Sequence, residues 1–167
     1  MWLILGAGTA GTMMSKNLRK ALRKDTWNTT IVDQEETHYY QPGFLFLPFD
    51  EYKPSQLKRS IDEFIPKGVK LVREKIDKVD KDNDKVLLQN DTEISYDILV
   101  IATGCDIAPH EIAGMEGDHW YKSIFDFYTF NGAKNLRDKL RTWEGGKLVV
   151  HICEMPIICP VATIEYN

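Results

Sequence analysis

The sequence lacks features that would define several other classes of protein. Its 167 residues carry 21 Lys and Arg against 25 Asp and Glu, so no basic excess is present to neutralise nucleic-acid phosphates. Its best apolar run, residues 43–49, is far shorter than the roughly 20 residues of a transmembrane helix. The composition therefore argues against nucleic acid as a partner and against a membrane-spanning helix in this stretch.

Cysteine is scarce, and the pattern of metal ligands is missing. Three cysteines in a chain whose first strand has no basic leader do not form a disulfide framework. We therefore expect a reducing, cytoplasmic setting. No spacing of His, Cys, Asp and Glu is typical of a metal site, so none is predicted. The sequence stops at Asn167, early in a predicted helix, and we expect it to be the N-terminal part of a longer protein.

One glycine-rich loop is present, close to the start. Residues 3–5 form a short apolar strand, and residues 12–22 carry apolar side chains at helical spacing. Between them, Gly6 permits a tight turn, Gly8 lets the backbone approach a pyrophosphate, and Gly11 lets helix and strand pack closely. The start of the helix offers N–H groups to the phosphates. The alternative is a helix-packing loop that binds no ligand.

An acidic residue ends the next predicted strand. Residues 29–32 are β-branched or apolar, and Asp33 follows them about 20 residues after Gly11. A carboxylate at this position accepts hydrogen bonds from ribose hydroxyls and repels a 2′-phosphate. The combination of strand, loop, helix and acid favours dinucleotide binding over the packing alternative.

The middle of the chain predicts a β-rich insertion followed by a return to the sheet. Residues 70–96 alternate apolar and polar side chains between turn signals, which predicts a β-meander. Residues 97–101 then form an apolar strand that ends at residues 102–104. We predict an α/β fold in which residues 1–112 form a domain with a parallel sheet and this meander as an insertion.

The end of the chain predicts the beginning of a second, similar unit, over residues 113–167. Residues 147–152 look like a buried parallel strand, and a helix is predicted to start at Pro160. A second glycine loop would lie between them, but Cys159 occupies the junction instead. As the residue before an N1 proline, Cys159 would cap the helix, a position that lowers the pKa of a thiol. Three other residues, Cys105, Cys153 and His151, are predicted to be buried.

The aromatic stretch at residues 39–49 has two interpretations. It can pack into the core as a loop, or it can form an apolar wall near a flavin or a hydrophobic acceptor such as a quinone.

Together, the Gly-Ala-Gly-Thr-Ala-Gly loop, Asp33, the meander and residues 96–104 resemble the two-dinucleotide-domain flavoproteins. The resemblance implies a Rossmann-like first domain with FAD, rather than NAD, at the glycine loop. It also implies that the ATG turn passes near the cofactor and that the Val79 backbone lies near the adenine. The implied cofactor-binding residues are Gly6, Gly8, Thr9, Ala10, Gly11, Asp33, Gln34, Gln41, Val79, Ala102, Thr103 and Gly104.

Residues 156–165 resemble the cysteine segment of sulfide:quinone oxidoreductases and flavocytochrome c sulfide dehydrogenases, and the Tyr-Gln-Pro at Gln41 resembles the former. The resemblance implies a redox-active Cys159, with sulfide attacking a disulfide or polysulfide bridge and electrons passing through FAD to a quinone. The partner cysteine would lie beyond Asn167. A quinone partner also implies a peripheral position on the inner face of the cell membrane, reached through the missing C-terminal part. A homo-oligomer is a further expectation.

Two alternatives stay open. A flavin-dependent NADH:quinone reductase would need a second glycine loop near residue 153, which the sequence lacks. A catalytically inactive FAD-binding or oligomerisation module would need no redox cysteine, and the 167 residues alone are expected to be inactive.

Overall fold

A computed structural model of the chain describes residues 1–23 and 26–152. The predictions for Cys153 and Cys159 therefore lie outside the described residues. The backbone contacts divide the chain into two compact units. The first unit comprises residues 1–39 and 58–105, and the second comprises residues 40–57 with those after residue 105. The domain boundary near residue 112 stays a prediction, and each unit is described by itself.

The described residues form nine strands and two α-helices, besides several short 3-10 turns. The strands are β1 (Trp2–Leu5), β2 (Thr29–Asp33), β3 (Thr37–Tyr39), β4 (Lys58–Ser60), β5 (Lys70–Arg73), β6 (Ile76–Asp80), β7 (Lys85–Leu88), β8 (Glu93–Ser95) and β9 (Ile98–Ile101). The helices are α1 (Thr9–Ala21) and α2 (Phe130–Arg141).

The first unit is built on a four-stranded parallel sheet in the order β5-β2-β1-β9. Its central strand β1 is apolar on both faces, as expected for a strand that is covered on both sides. Leu3 and Leu5 point to one face, where they pack with Val86 and Leu88 of the meander. Ile4 points to the other face, where it belongs to a cluster that includes Leu18 of α1. The sheet is thus the middle layer of the first unit, and the predicted α/β class is confirmed.

Helix α1 buries only part of the apolar side that its sequence suggests. Met13 is 59% exposed and Met14 is also exposed, although both belong to the apolar side chains at helical spacing that predicted the helix over residues 12–22. The buried side chains are small or short, and Leu18 is the one large apolar residue among them: they are Gly11, Thr12, Ser15 and Leu18. At Gly11 the helix approaches the glycine loop so closely that even a β-carbon would overlap the carbonyl oxygen of Gly6, so no large side chain fits at that position.

The meander is shorter than the sequence predicts. Strands β6, β7 and β8 form a three-stranded antiparallel sheet, as expected. Strand β5, however, pairs in parallel with β2 and belongs to the main sheet, so its assignment to the meander was wrong. The reason is that both faces of β5 meet apolar residues, with Leu71 packing in the α1 layer and Val72 in the meander layer.

The second unit packs α2 against 3-10 turns at Gln41–Leu45 and Leu47–Phe49. Its core contains Phe44, Leu47, Leu57 and Ala133, with Phe130 packed against them. Part of the aromatic stretch therefore packs as a core loop. Other members of that stretch are exposed, namely Tyr40, Phe46 and Phe49.

Three predictions for the later part of the chain were wrong. Residues 147–152 are irregular and exposed, whereas a buried parallel strand was expected. A parallel strand requires neighbours to pair with, and no strand of the described residues pairs with this segment. Cys105 and His151 are exposed rather than buried. Among the described residues, neither helix has the length and apolar character needed to cross a bilayer.

Candidate dinucleotide-binding site

The loop between β1 and α1 is shaped by two tightly packed glycines. Gly6 has a φ of +96°, and a β-carbon there would overlap the backbone of Ala102. A β-carbon on Gly11 would overlap the carbonyl oxygen of Gly6. The loop therefore turns sharply and lies directly on the sheet, because neither position has room for a side chain.

Gly8 differs from these two glycines because the space around it is open. A β-carbon at Gly8 would meet no atom within 4 Å, and Gly8, Thr9 and Ala10 are all exposed. Gly8 is the N-cap of α1, has no side chain to cap it, and is followed by a first turn without an acidic residue. The first N–H groups of α1 are thus available to an anion, and this open cradle fits the pyrophosphate of a dinucleotide.

Asp33 lies next to the glycine loop at the carboxyl end of β2. Its Oδ2 accepts a hydrogen bond from the N–H of Ala7 at 2.5 Å, and its Oδ1 accepts one from the N–H of Glu35 at 2.8 Å. Two anchored oxygens hold the carboxylate in place, yet each retains a lone pair for a ribose hydroxyl. Gln34 follows on the surface.

The ATG turn completes the same edge of the sheet. The N–H of Ala102 donates to the carbonyl oxygen of Leu5 at 2.7 Å, which fixes the start of the turn beside Gly6. Thr103 and Gly104 are exposed, and Gly104 has a φ of +75°. The structure therefore brings together the carboxyl ends of β1, β2 and β9, the edge at which open α/β sheets bind ligands.

The remaining predicted residues lie on other elements or outside the described residues. The Val79 side chain packs in the core of the first unit, and β6 carries the Val79 backbone as a ladder partner of Val86. Gln41 begins a 3-10 turn of the second unit and is exposed. Cys159 lies outside the described residues. Their roles stay predictions.

One residue beside the loop was missed by the sequence reasoning. His38, in β3, places its Nδ1 3.4 Å from the carbonyl oxygen of Ala7. Its ring also packs on Phe64, with 4.3 Å between the ring centroids. The contact joins residues that are far apart in sequence, and no spacing rule predicts it.

Some pKa values in the second unit are shifted by neighbouring groups or burial. Burial raises the pKa of Tyr121, whose hydroxyl donates to Asp126 at 2.9 Å. A hydrogen bond from Arg141 lowers the pKa of Asp50. Within the described residues, no group of His, Cys, Asp and Glu side chains could hold a metal ion.

An open helix start, a strand-end carboxylate and the ATG turn on one sheet edge define a dinucleotide-binding α/β protein. More narrowly, the chain belongs to the pyridine nucleotide-disulphide oxidoreductase family, which matches residues 2–150. The members of this oxidoreductase family are FAD-binding flavoproteins, so the cofactor is FAD.

Several characterised proteins are similar to this chain. The mitochondrial sulfide:quinone oxidoreductase of Mus musculus is 25% identical over 157 residues, which is 94% of this chain and 34% of that protein. The type II NADH:quinone oxidoreductase of Staphylococcus aureus is 25% identical over 146 residues, 87% of this chain and 36% of that protein. The crystal structure of the sulfide:quinone oxidoreductase of Aquifex aeolicus shares the fold, with a TM-score of 0.67 and 24% identity over 84% of this chain and 31% of that one. The chain thus spans about a third of these relatives.

Proposed function

We propose that this chain is the FAD-binding part of a sulfide:quinone oxidoreductase. The observation that carries the FAD site is the open cradle at Gly8 beside the anchored carboxylate of Asp33. Sulfide and quinone as substrates are supported by the resemblance around Cys159 and Gln41 and by the similarity to the mouse enzyme. A quinone dissolved in the bilayer would place the longer protein at the membrane surface.

Different residues of the sheet edge bind different parts of FAD in this proposal. The N–H groups of Gly8, Thr9 and Ala10 bind the pyrophosphate, and Asp33 accepts hydrogen bonds from the ribose. The ATG turn covers the cofactor, while Gln34, Gln41 and the Val79 backbone contribute further contacts. When bound, FAD supplies two-electron oxidation and reduction.

The sulfur chemistry is assigned to Cys159. In the proposal, Cys159 forms a bridge with a second cysteine outside this chain. Hydrosulfide attacks the partner sulfur, a new sulfur–sulfur bond forms there, and the old bond breaks to release the Cys159 thiolate. A cysteine before a proline is suited to this role, since the helix predicted to start at Pro160 would stabilise its thiolate. The quinone is the final acceptor of the electrons.

Sulfide-dependent quinone reduction by the longer protein, with and without Cys159→Ala, tests the proposal. We expect the substitution to abolish turnover while the flavin absorbance is retained. Cys153→Ala serves as the matched control and is expected to keep turnover. Unchanged turnover in Cys159→Ala would overturn the cysteine mechanism.

A second candidate is an NADH:quinone reductase, because the Staphylococcus aureus relative covers almost as much of the chain. It ranks lower because the junction at residues 153–160 contains no glycine. Rapid bleaching of the flavin by NADH, but not by sulfide, would favour it. A flavin that neither donor reduces would indicate an inactive FAD-binding module.

A further inference from the structure

Ala7 lies between two side chains that contact opposite ends of the residue. Its N–H donates to the carboxylate of Asp33 at 2.5 Å, and its carbonyl oxygen lies 3.4 Å from Nδ1 of His38. Ala7 itself is fully buried. A buried carbonyl is costly unless a donor reaches it, so this contact requires the proton of His38 to be on Nδ1.

Two contacts hold His38 in place, one through its backbone and one through its ring. Its backbone pairs with Arg59 in the antiparallel ladder of β3 and β4. Its ring packs on Phe64, which belongs to a 3-10 turn that starts with a capping box at Ser60 and Glu63. The imidazole is therefore fixed by its own unit and does not need a ligand to direct Nδ1 toward the glycine loop.

The orientation of the Ala7 carbonyl determines the orientation of the next N–H group. The Ala7 carbonyl and the Gly8 N–H belong to one peptide plane, and in a trans peptide they point in opposite directions. With the carbonyl turned toward His38, the Gly8 N–H points away from His38. Gly8 is also the exposed glycine whose surroundings are open.

We propose that His38 is a positioning residue for the FAD site, a role that rests on the proposed function of the glycine loop. It holds the Ala7–Gly8 peptide in the orientation that presents the Gly8 N–H to the pyrophosphate. Asp33 does the same for the preceding peptide through the Ala7 N–H. Two side chains from the segment after β1 and α1 thus preset the loop before the cofactor arrives.

The test separates the hydrogen bond from the ring packing. His38→Phe keeps an aromatic ring against Phe64 but removes the donor. His38→Asn loses the ring but retains an N–H donor close to the position of Nδ1. His110→Phe makes the same change at an exposed histidine of the second unit and serves as the control.

FAD affinity is measured by flavin fluorescence titration of the whole chain, and stability by urea unfolding. We expect His38→Phe to bind FAD about three- to tenfold more weakly, the loss of one hydrogen bond. His38→Asn and the control should stay within about twofold of the wild type. In the absence of FAD, the Gly8 amide resonance should shift in His38→Phe and return toward the wild-type position in His38→Asn.

Equal FAD affinity in the wild type and His38→Phe, or an affinity in His38→Asn as weak as in His38→Phe, would overturn the role of His38. A wild-type chain that binds no FAD would instead contradict the proposed function. In that case the Gly8 resonance still decides the His38 contact, and an unmoved resonance in His38→Phe rejects it.

Discussion

The two α-helices of the described residues begin in opposite ways. Helix α1 starts at a glycine N-cap, and its first N–H groups are exposed. Helix α2 starts at Thr129, whose hydroxyl accepts a hydrogen bond from the N–H of Gly132 at 2.9 Å. Asp126 also accepts from the N–H of Thr129 at 2.7 Å. The first N–H groups of α1 are open to a ligand, whereas those of α2 are capped by side chains of the chain itself.

Both helices have a glycine in the first turn, so glycine alone does not distinguish them. Gly11 approaches the backbone of Gly6, whereas Gly132 approaches the carboxylate of Asp126. The distinguishing feature is whether the chain supplies its own acceptor at the helix start. A phosphate site is thus defined by the lack of a capping side chain at the N-cap as much as by its glycines.

The largest effect is expected from adding a methyl group at Gly11. A β-carbon there would overlap a backbone carbonyl, which cannot rotate away, so Gly11→Ala should lower the free energy of unfolding by about 3 kcal/mol. Gly132→Ala should lower the free energy of unfolding by less, because the Asp126 side chain can move away from the new methyl group. That movement weakens the hydrogen bonds that Asp126 accepts at the start of α2. Urea unfolding compares the two, and an equal loss would contradict this distinction.

Giving α1 the kind of cap that α2 has should convert one helix start into the other. Gly8→Asp supplies an acceptor to the first N–H groups and places a negative charge where the pyrophosphate would bind. We expect FAD affinity to fall at least thirtyfold, about 2 kcal/mol, with stability unchanged or slightly raised. Gly8→Asn caps without the charge and should lose less affinity. FAD titration that shows no loss in Gly8→Asp would remove the phosphate cradle from the proposal.

Removing the cap of α2 is expected to have a moderate effect confined to stability. Thr129→Ala deletes the acceptor for Gly132 and should cost about 1 kcal/mol in urea unfolding. FAD affinity should stay at the wild-type value, because the proposed site lies at the start of α1. Thr129→Ser keeps the hydroxyl and should restore most of the stability.

The smallest effect is a dependence on alkaline pH. Burial raises the pKa of Tyr121 above its usual value near 10, so the folded state holds this proton more tightly than the unfolded state. This contribution to stability is complete below about pH 10 and is lost as the pH rises through the folded-state pKa. Between pH 8 and 11, the free energy of unfolding should therefore fall less steeply for Tyr121→Phe than for the wild type. Tyr40→Phe, at an exposed position, is the control, and identical slopes for all three proteins would contradict the prediction.

Local patterns were sufficient to predict the beginning of the chain. Strand β1, the glycine loop, α1 and β2 follow one another within 33 residues, and each is indicated by its own periodicity or glycines. The apolar strand β9 and its ATG turn were predicted in the same way. These elements make up the sheet edge of the candidate site.

The errors concern choices that depend on distant partners. Residues 70–73 alternate as a meander strand would, but their partner is β2, and pairing with β2 brings Leu71 and Val72 against apolar residues on opposite faces. The methionines of α1 have the right spacing for a buried stripe, yet both are exposed and the helix buries mostly small side chains instead. His38 contacts Ala7 only because β3 returns toward the loop. Sequence periodicity reports which faces are apolar, but it does not report what lies opposite them.

The strand order also determines when during synthesis the site can form. The register pairs Leu5 with Ile101, and Gly6 rests against Ala102, so the glycine loop needs a strand of its unit that is synthesised much later than the loop itself. Bringing β1 and β9 together across such a long stretch of chain is slow compared with local folding. The apolar faces of β1 therefore stay exposed until β9 has been synthesised. FAD capture is therefore a late event in the synthesis of this unit. Nascent chains arrested before β9 should carry no flavin.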